Sequence, residues 1–118
     1  MAQSEALFAS AARTTTQTSR DIPNPGYHWI DVVLDTTVAS TGSVTLTINF
    51  KDPASGKYIL LLSGAAVVGV TTNTYTIGPT AATSANVSIA RNLPDVLQIV
   101  CTANNANSQT YSVGYILS

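Results

Sequence analysis

Residues 44 to 51 read VTLTINFK, with Val44, Leu46, Ile48 and Phe50 alternating against Thr45, Thr47, Asn49 and Lys51. A period of two sends successive side chains to opposite faces, so one face of this segment meets a core and the other meets water. That is the signature of a half-buried antiparallel strand. Such a strand needs neighbours on both edges and a second layer over its apolar face.

The rest of the chain supplies them. Ile30, Val32 and Leu34 form the core face of a strand over residues 27–37, with Tyr27, Trp29, Asp31, Val33 and Asp35 on the other face. Residues 58–63 (YILLLS) are apolar on both faces, and residues 66–70 and 73–77 continue as strand around a kink near Gly69. A short strand follows at 86–90, and residues 96–103 and 109–117 make a strand pair joined by NNANS. In the last two strands Leu97, Ile99 and Cys101 share one face, as do Tyr111, Val113, Tyr115 and Leu117. IPNPG (22–26), STGS (40–43), GPTAATSA (78–85) and RNLPD (91–95) punctuate the segments with residues that stop ladders and favour turns. Roughly seven or eight short strands, with turn signals about every eight to twelve residues, predict an all-β antiparallel β-sandwich, jelly-roll-like or immunoglobulin-like. Helix is expected at most in the first residues and in a turn around 80–94.

At 118 residues the chain has room for one such domain. We divide it into residues 1–20, an N-terminal arm able to serve as an edge strand, and residues 21–118, the sandwich. Residues 1–12 are compatible with one or two helical turns or with an extended arm, whereas RTTTQTS (13–19) is β-branched and polar, as suits an edge strand. The start, MAQSEALFASAA, lacks a basic leader and a long apolar stretch, and reads as mature sequence.

The segment KDPASGK (51–57) poses a choice between a phosphate-binding loop and a turn. A phosphate loop needs an earlier glycine, a hydroxyl residue after the Gly-Lys pair, and a following helix. Here the position five before Gly56 is Lys51, Tyr58 follows Lys57, and YILLL is a strand pattern. Asp52 and Pro53 open turns well, and Gly56 takes a positive φ without cost, so the segment is a hairpin loop.

Tests for chemistry return little. His28 is the one histidine, and Asp31, three residues along the strand, falls on the opposite face, so no catalytic dyad forms locally. Asp31 and Asp35 share a face but stand roughly 13 Å apart at about 3.3 Å per residue, too far for a glycosidase pair. Neither zinc spacing nor a calcium loop occurs. The expectation is no enzyme, no metal and no cofactor. Five basic residues are scattered without a stripe, against nucleic-acid binding. No apolar run approaches the roughly 18 residues of a membrane helix. Cys101 lies on a core face and behaves as a small hydrophobe.

Charged residues make up 9% of the chain and the formal net charge is −1, so Thr, Ser, Asn and Gln supply the polar surface. A surface so short of charge is poorly protected against association, and implies partners or copies of itself. Tyr27 and Trp29 share a strand face and could stack on a sugar, which keeps a carbohydrate-binding sandwich module as an alternative.

LFASAARTTT (7–16), YHWIDVVLD (27–35), SVTLTINFKDPASGKYILLL (43–62) and QTYSVGYIL (109–117) together resemble, in the same order, small β-rich structural proteins of tailed bacteriophages. The combination of the DPASGKY hairpin with the downstream TYSVG strand is the specific part. Two departures are the Pro94-Asp95-Val96-Leu97 entry to the penultimate strand and Phe50 where relatives commonly have glycine. The resemblance implies a virion component, foremost a capsid decoration or cement protein on the head exterior, made in the host bacterial cytoplasm and bound to the major capsid protein. It further implies a homo-oligomer, with a trimer as one form, and has a tail, fibre or baseplate component as its alternative. Within the N-terminal arm, Leu7 and Phe8 are the candidate apolar anchors for a partner and Arg13 the candidate charged donor.

Overall fold

The computed structural model describes residues 3–118, and these fold into two face-to-face β-sheets with no helix among them. One sheet, here sheet A, has the order β1-β11-β4-β8-β9, built from β1 (Gln3–Arg13), β4 (Ile30–Thr36), β8 (Thr71–Gly78), β9 (Ser88–Ala90) and β11 (Gln109–Leu117). The other, sheet B, runs β2-β10-β5-β6, from β2 (Gln17–Thr18), β5 (Ser43–Lys51), β6 (Tyr58–Ser63) and β10 (Val96–Ala103). Two short pieces complete sheet B: β3 (Ile22–Pro23) pairs with β10, and β7 (Val67–Val68) with β5. Every pairing is antiparallel except β8 with β9, so the predicted antiparallel sandwich is the observed architecture.

The core lies where the period-two residues meet. From sheet A come Ile30, Val32 and Leu34, with Tyr75, Ile77, Val113, Tyr115 and Leu117; from sheet B come Val44, Leu46, Ile48, Leu97, Ile99 and Cys101, all buried. The alternation read in VTLTINFK is therefore literal, with Phe50 half-buried and packed against the core.

The KDPASGK loop is the hairpin its composition predicts. Asp52 N–H donates to Lys57 O and Gly56 N–H to Asp52 O, both at 2.8 Å, and Gly56 sits at φ +72°. The Asp52 carboxylate accepts from Ser55 Oγ at 2.5 Å and from the Ser55 and Ala54 amides. Those bonds, the Ser55 hydroxyl first, hold its pKa below the usual carboxylate value. Gly69, at φ +80°, makes the kink between β7 and β8.

The N-terminal segment differs from the helical-turn option. Residues 3–13 form an eleven-residue strand on the edge of sheet A, paired with β11 from Gln3↔Leu117 to Arg13↔Gln109. Two register shifts, between Ala6 and Phe8 and between Phe8 and Ala11, break the alternation. These bulges are why the stretch does not read as a strand: its apolar residues fall out of period two. Residues 1 and 2, part of the expected arm, lie outside the described residues.

IPNPG also does more than stop a ladder. Ile22 and Pro23 pair with Leu97 and Val96 before the turn. Asn24, buried, then fixes the turn by accepting from the Tyr27 amide at 2.8 Å and donating to Tyr27 O and Pro94 O.

Candidate interaction surface

Sheet A carries its charge in bonded form. Asp31 and Asp35 project from the outer face of β4, where Thr76 Oγ1 donates to Asp31 at 2.7 Å and Thr72 Oγ1 to Asp35 at 2.8 Å. Each carboxylate thus belongs to a cross-strand pair with β8. His28 is exposed, its backbone bonded to Ser118. Among the described residues no group of three or more His, Cys, Asp or Glu side chains gathers to hold a metal ion.

Trp29 is half-buried and packed on Gly78, where even a Cβ would overlap the indole. One ring face is thereby used by the fold itself. Tyr27, also half-buried, packs against the core cluster.

The three residues singled out in the arm occupy one region of β1. Leu7 and Phe8 are half-buried and pack against the core, and Arg13 folds back over Tyr111, its guanidinium 4.7 Å from that ring and 5.8 Å from Phe8. The same guanidinium donates to Tyr111 O and to the strand's own Ala9 and Ala11 carbonyls. Phe8 and Arg13 are brought together, with Leu7 beside Phe8 in the chain. At the other end of β1 a group missed in the sequence fastens the strand: Arg20 bridges Glu5 at 2.5 Å, and Tyr115 donates to the same Glu5 oxygen at 2.6 Å. Burial, then the bond to Glu5, raises the Tyr115 pKa. No local signal links Glu5, Arg20 and Tyr115: the β1–β11 register pairs Glu5 with Tyr115, and Arg20 reaches them from between β2 and β3.

Sheet B has a comparable cross-strand link on its outer face. Asp21 accepts from Lys51 at 3.0 Å and from the Tyr58 hydroxyl, and Lys51 lies 5.7 Å from the Tyr58 ring. The Tyr58 bond first, then Lys51, lowers the Asp21 pKa.

The exposed large apolar side chains stand mainly along β6, β7 and the turn after it: Tyr58, Ile59, Leu60, Val68 and Val70. From Lys57 to Arg91 the chain contains no charged residue. Along β6 and β7 the exposed side chains themselves are uncharged, with the Asp21–Lys51 pair beside Tyr58.

No family model and no curated protein matches the sequence. Among solved structures, the fold is similar to that of the SPBc2 prophage-derived protein YomS, with a TM-score of 0.59 at 9% identity over 99% of this chain and 92% of that one. A second match, to a structure of infectious bursal disease virus Gt strain, has a TM-score of 0.47 at 14% identity, and covers 99% of this chain and 33% of that one. The first likeness is one of fold.

Proposed function

We propose that this chain is a non-enzymatic structural component of a bacteriophage virion, and within the virion a decoration protein that cements the head shell. The observation that carries the reading is the shared fold with a prophage-derived protein over nearly the whole of both chains. The ordered resemblance of the DPASGKY hairpin and TYSVG strand to phage structural proteins, and an exterior with charged residues at only 9% of the chain, support it.

The mechanism follows from linkage. A protein that binds the assembled shell and not the free coat subunit adds its binding free energy to shell stability, and many copies multiply the effect. The major capsid protein is the partner. β1 is the element we assign to that contact: it is a sheet edge, most of its residues are exposed, and Leu7, Phe8 and Arg13 fix its shape from behind while remaining partly accessible.

Heads lacking this protein, mixed with the purified chain and pelleted, test the reading. Cosedimentation with a raised thermal rupture temperature is expected. Absence from the head pellet, with binding to isolated tails instead, overturns the head assignment in favour of a tail component.

A further inference from the structure

Asn73 stands where the alternation of β8 calls for an apolar side chain. It has the parity of Tyr75 and Ile77, both buried, and lies opposite the buried Leu34 of β4. Its Nδ2 is shut away from solvent with no hydrogen-bond partner, the one such side-chain atom among the described residues. A buried donor left unbonded is destabilising, so an amide at this inward position asks for an explanation.

The Asn73 side chain lines a cavity of about 220 Å³ at the flank of the sandwich. Ala65, Ala66 and Val67, at the link from β6 to β7, form one wall, and Ala85, Asn86 and Val87, from the turn before β9, form the other. Tyr75 and Thr74 complete it. A carboxamide exchanges its two ends by a half-turn about the bond to Cγ, so the end that meets the cavity depends on what the cavity holds. An acceptor placed there draws the NH2 group outward and bonds it. The oxygen then faces inward, and an unpaired carbonyl is the more tolerable of the two.

The backbone adds a second polar group. Thr76 N–H donates to Val87 O, so Thr76 directs its main-chain groups toward β9, and alternation along the ladder directs those of Thr74 the same way. β9 pairs with β8 only from Thr76 onward, because the Val87 and Ser88 amides turn back to Ser84 O at 3.1 and 3.0 Å. The Thr74 C=O therefore opens toward the cavity instead of a ladder.

We propose that this cavity is a binding site for the acetamido group of an N-acetylhexosamine. Each part of that group has a counterpart: the Asn73 NH2 donates to its carbonyl, the Thr74 C=O accepts from its N–H, and the alanine and valine side chains surround its methyl. The exposed Asn86 amide and Thr74 hydroxyl at the rim suit the ring hydroxyls. The volume lies below the roughly 300–1,000 Å³ of sites for drug-sized ligands, which limits the occupant to about one sugar unit. A charged occupant is disfavoured, since every lining residue belongs to the stretch from Tyr58 to Ala90 that contains no charge to balance it. The site is separate from Tyr27 and Trp29, and it is independent of the virion reading, because it concerns the purified chain alone.

Nuclear magnetic resonance of the 15N-labelled chain tests it. Titration with N-acetylglucosamine to about 50 mM is expected to give saturable shifts of the Asn73 side-chain NH2 and of the Val67, Thr74 and Val87 amides, with a Kd of about 1–10 mM. Glucose at the same concentration is expected to leave them in place. Asn73→Leu is expected to abolish the response without lowering the thermal midpoint, since it removes an unbonded buried donor. Ala66→Leu, which fills the cavity from an exposed position, is expected to abolish it too, and decides the matter if Asn73→Leu fails to fold. No shift with N-acetylglucosamine, an equal response to glucose, or a response that survives Ala66→Leu would each overturn the proposal. So would binding of N-acetylalaninamide as tight as that of the sugar, which would make the site one for acetylated peptide.

Discussion

At the scale of single residues, the sharpest consequence sits at Cys101 and Tyr111. Both are buried, and burial pushes the thiol and the phenol up to about 12 each, with the neighbouring thiol adding to the rise at Tyr111. In an unfolded chain these groups ionise near about 8.5 and 10. Above those values the unfolded state sheds protons that the folded state keeps, so stability falls as pH rises. Full stability is expected below about pH 8, with a decline between there and about pH 12. Replacing Cys101 by Ala should flatten the lower part of that decline in denaturant titrations run at increasing pH. Cys101 was legible as a core residue because Leu97 and Ile99 share its parity. The cluster of Glu5, Arg20 and Tyr115 was not, because Glu5 and Tyr115 meet through the pairing of the first strand with the last, and Arg20 reaches them from between β2 and β3. Gly78 gives a second residue-scale expectation. Gly78→Ala must displace the Trp29 indole, and a loss of about 1–3 kcal/mol in chemical denaturation is expected, with a change in tryptophan fluorescence.

At the scale of elements, legibility follows regularity. β6, β10 and β11 occupy the spans that alternation and turn residues mark, and the DPASG hairpin joins β5 to β6 as its composition requires. β1 was ambiguous because its two register shifts throw Leu7 and Phe8 out of period two. β4 is shorter than the apolar pattern allows. Asn24 organises residues 24–27 into a turn that delays its start to Ile30. The parallel β8–β9 pairing had no sequence signal, since three residues carry too little pattern. β1 itself is held by many backbone bonds and few buried side chains, so Arg13 has unusual weight for a surface residue. Arg13→Ala removes bonds to three carbonyls and two aromatic contacts. A cost of about 1.5–3 kcal/mol is expected, with faster hydrogen exchange confined to β1 and the facing edge of β11. Uniform loss of protection across both sheets would contradict this account of the strand.

Taken whole, the molecule is a sandwich whose interior is conventional and whose exterior is not. The Cα radius of gyration of 13.8 Å is close to the roughly 13.5 Å usual for a chain of this length, so β1 lies on the body and does not project from it. Among the described residues only two ion pairs form, Arg20 with Glu5 and Lys51 with Asp21, and both are substantially exposed. Such pairs contribute little, and salt screens what they do contribute. The thermal midpoint is therefore expected to move by no more than a few degrees when sodium chloride is raised from about 20 mM to about 500 mM. A large shift would show that charge matters to this fold far more than its bonding suggests.

The strand order also dictates a timetable for a chain emerging from the ribosome. Among the described residues β1 bonds only to β11, and both β2 and β3 bond only to β10, so the first strands of this fold wait for its last two. β10 and β11 are interior members of their sheets, and neither sheet can close before them. A nascent chain halted after Asp95 would hold the VTLTINFK strand without its partner β10, and β4 without β11, which is the form most exposed to capture by chaperones or to aggregation.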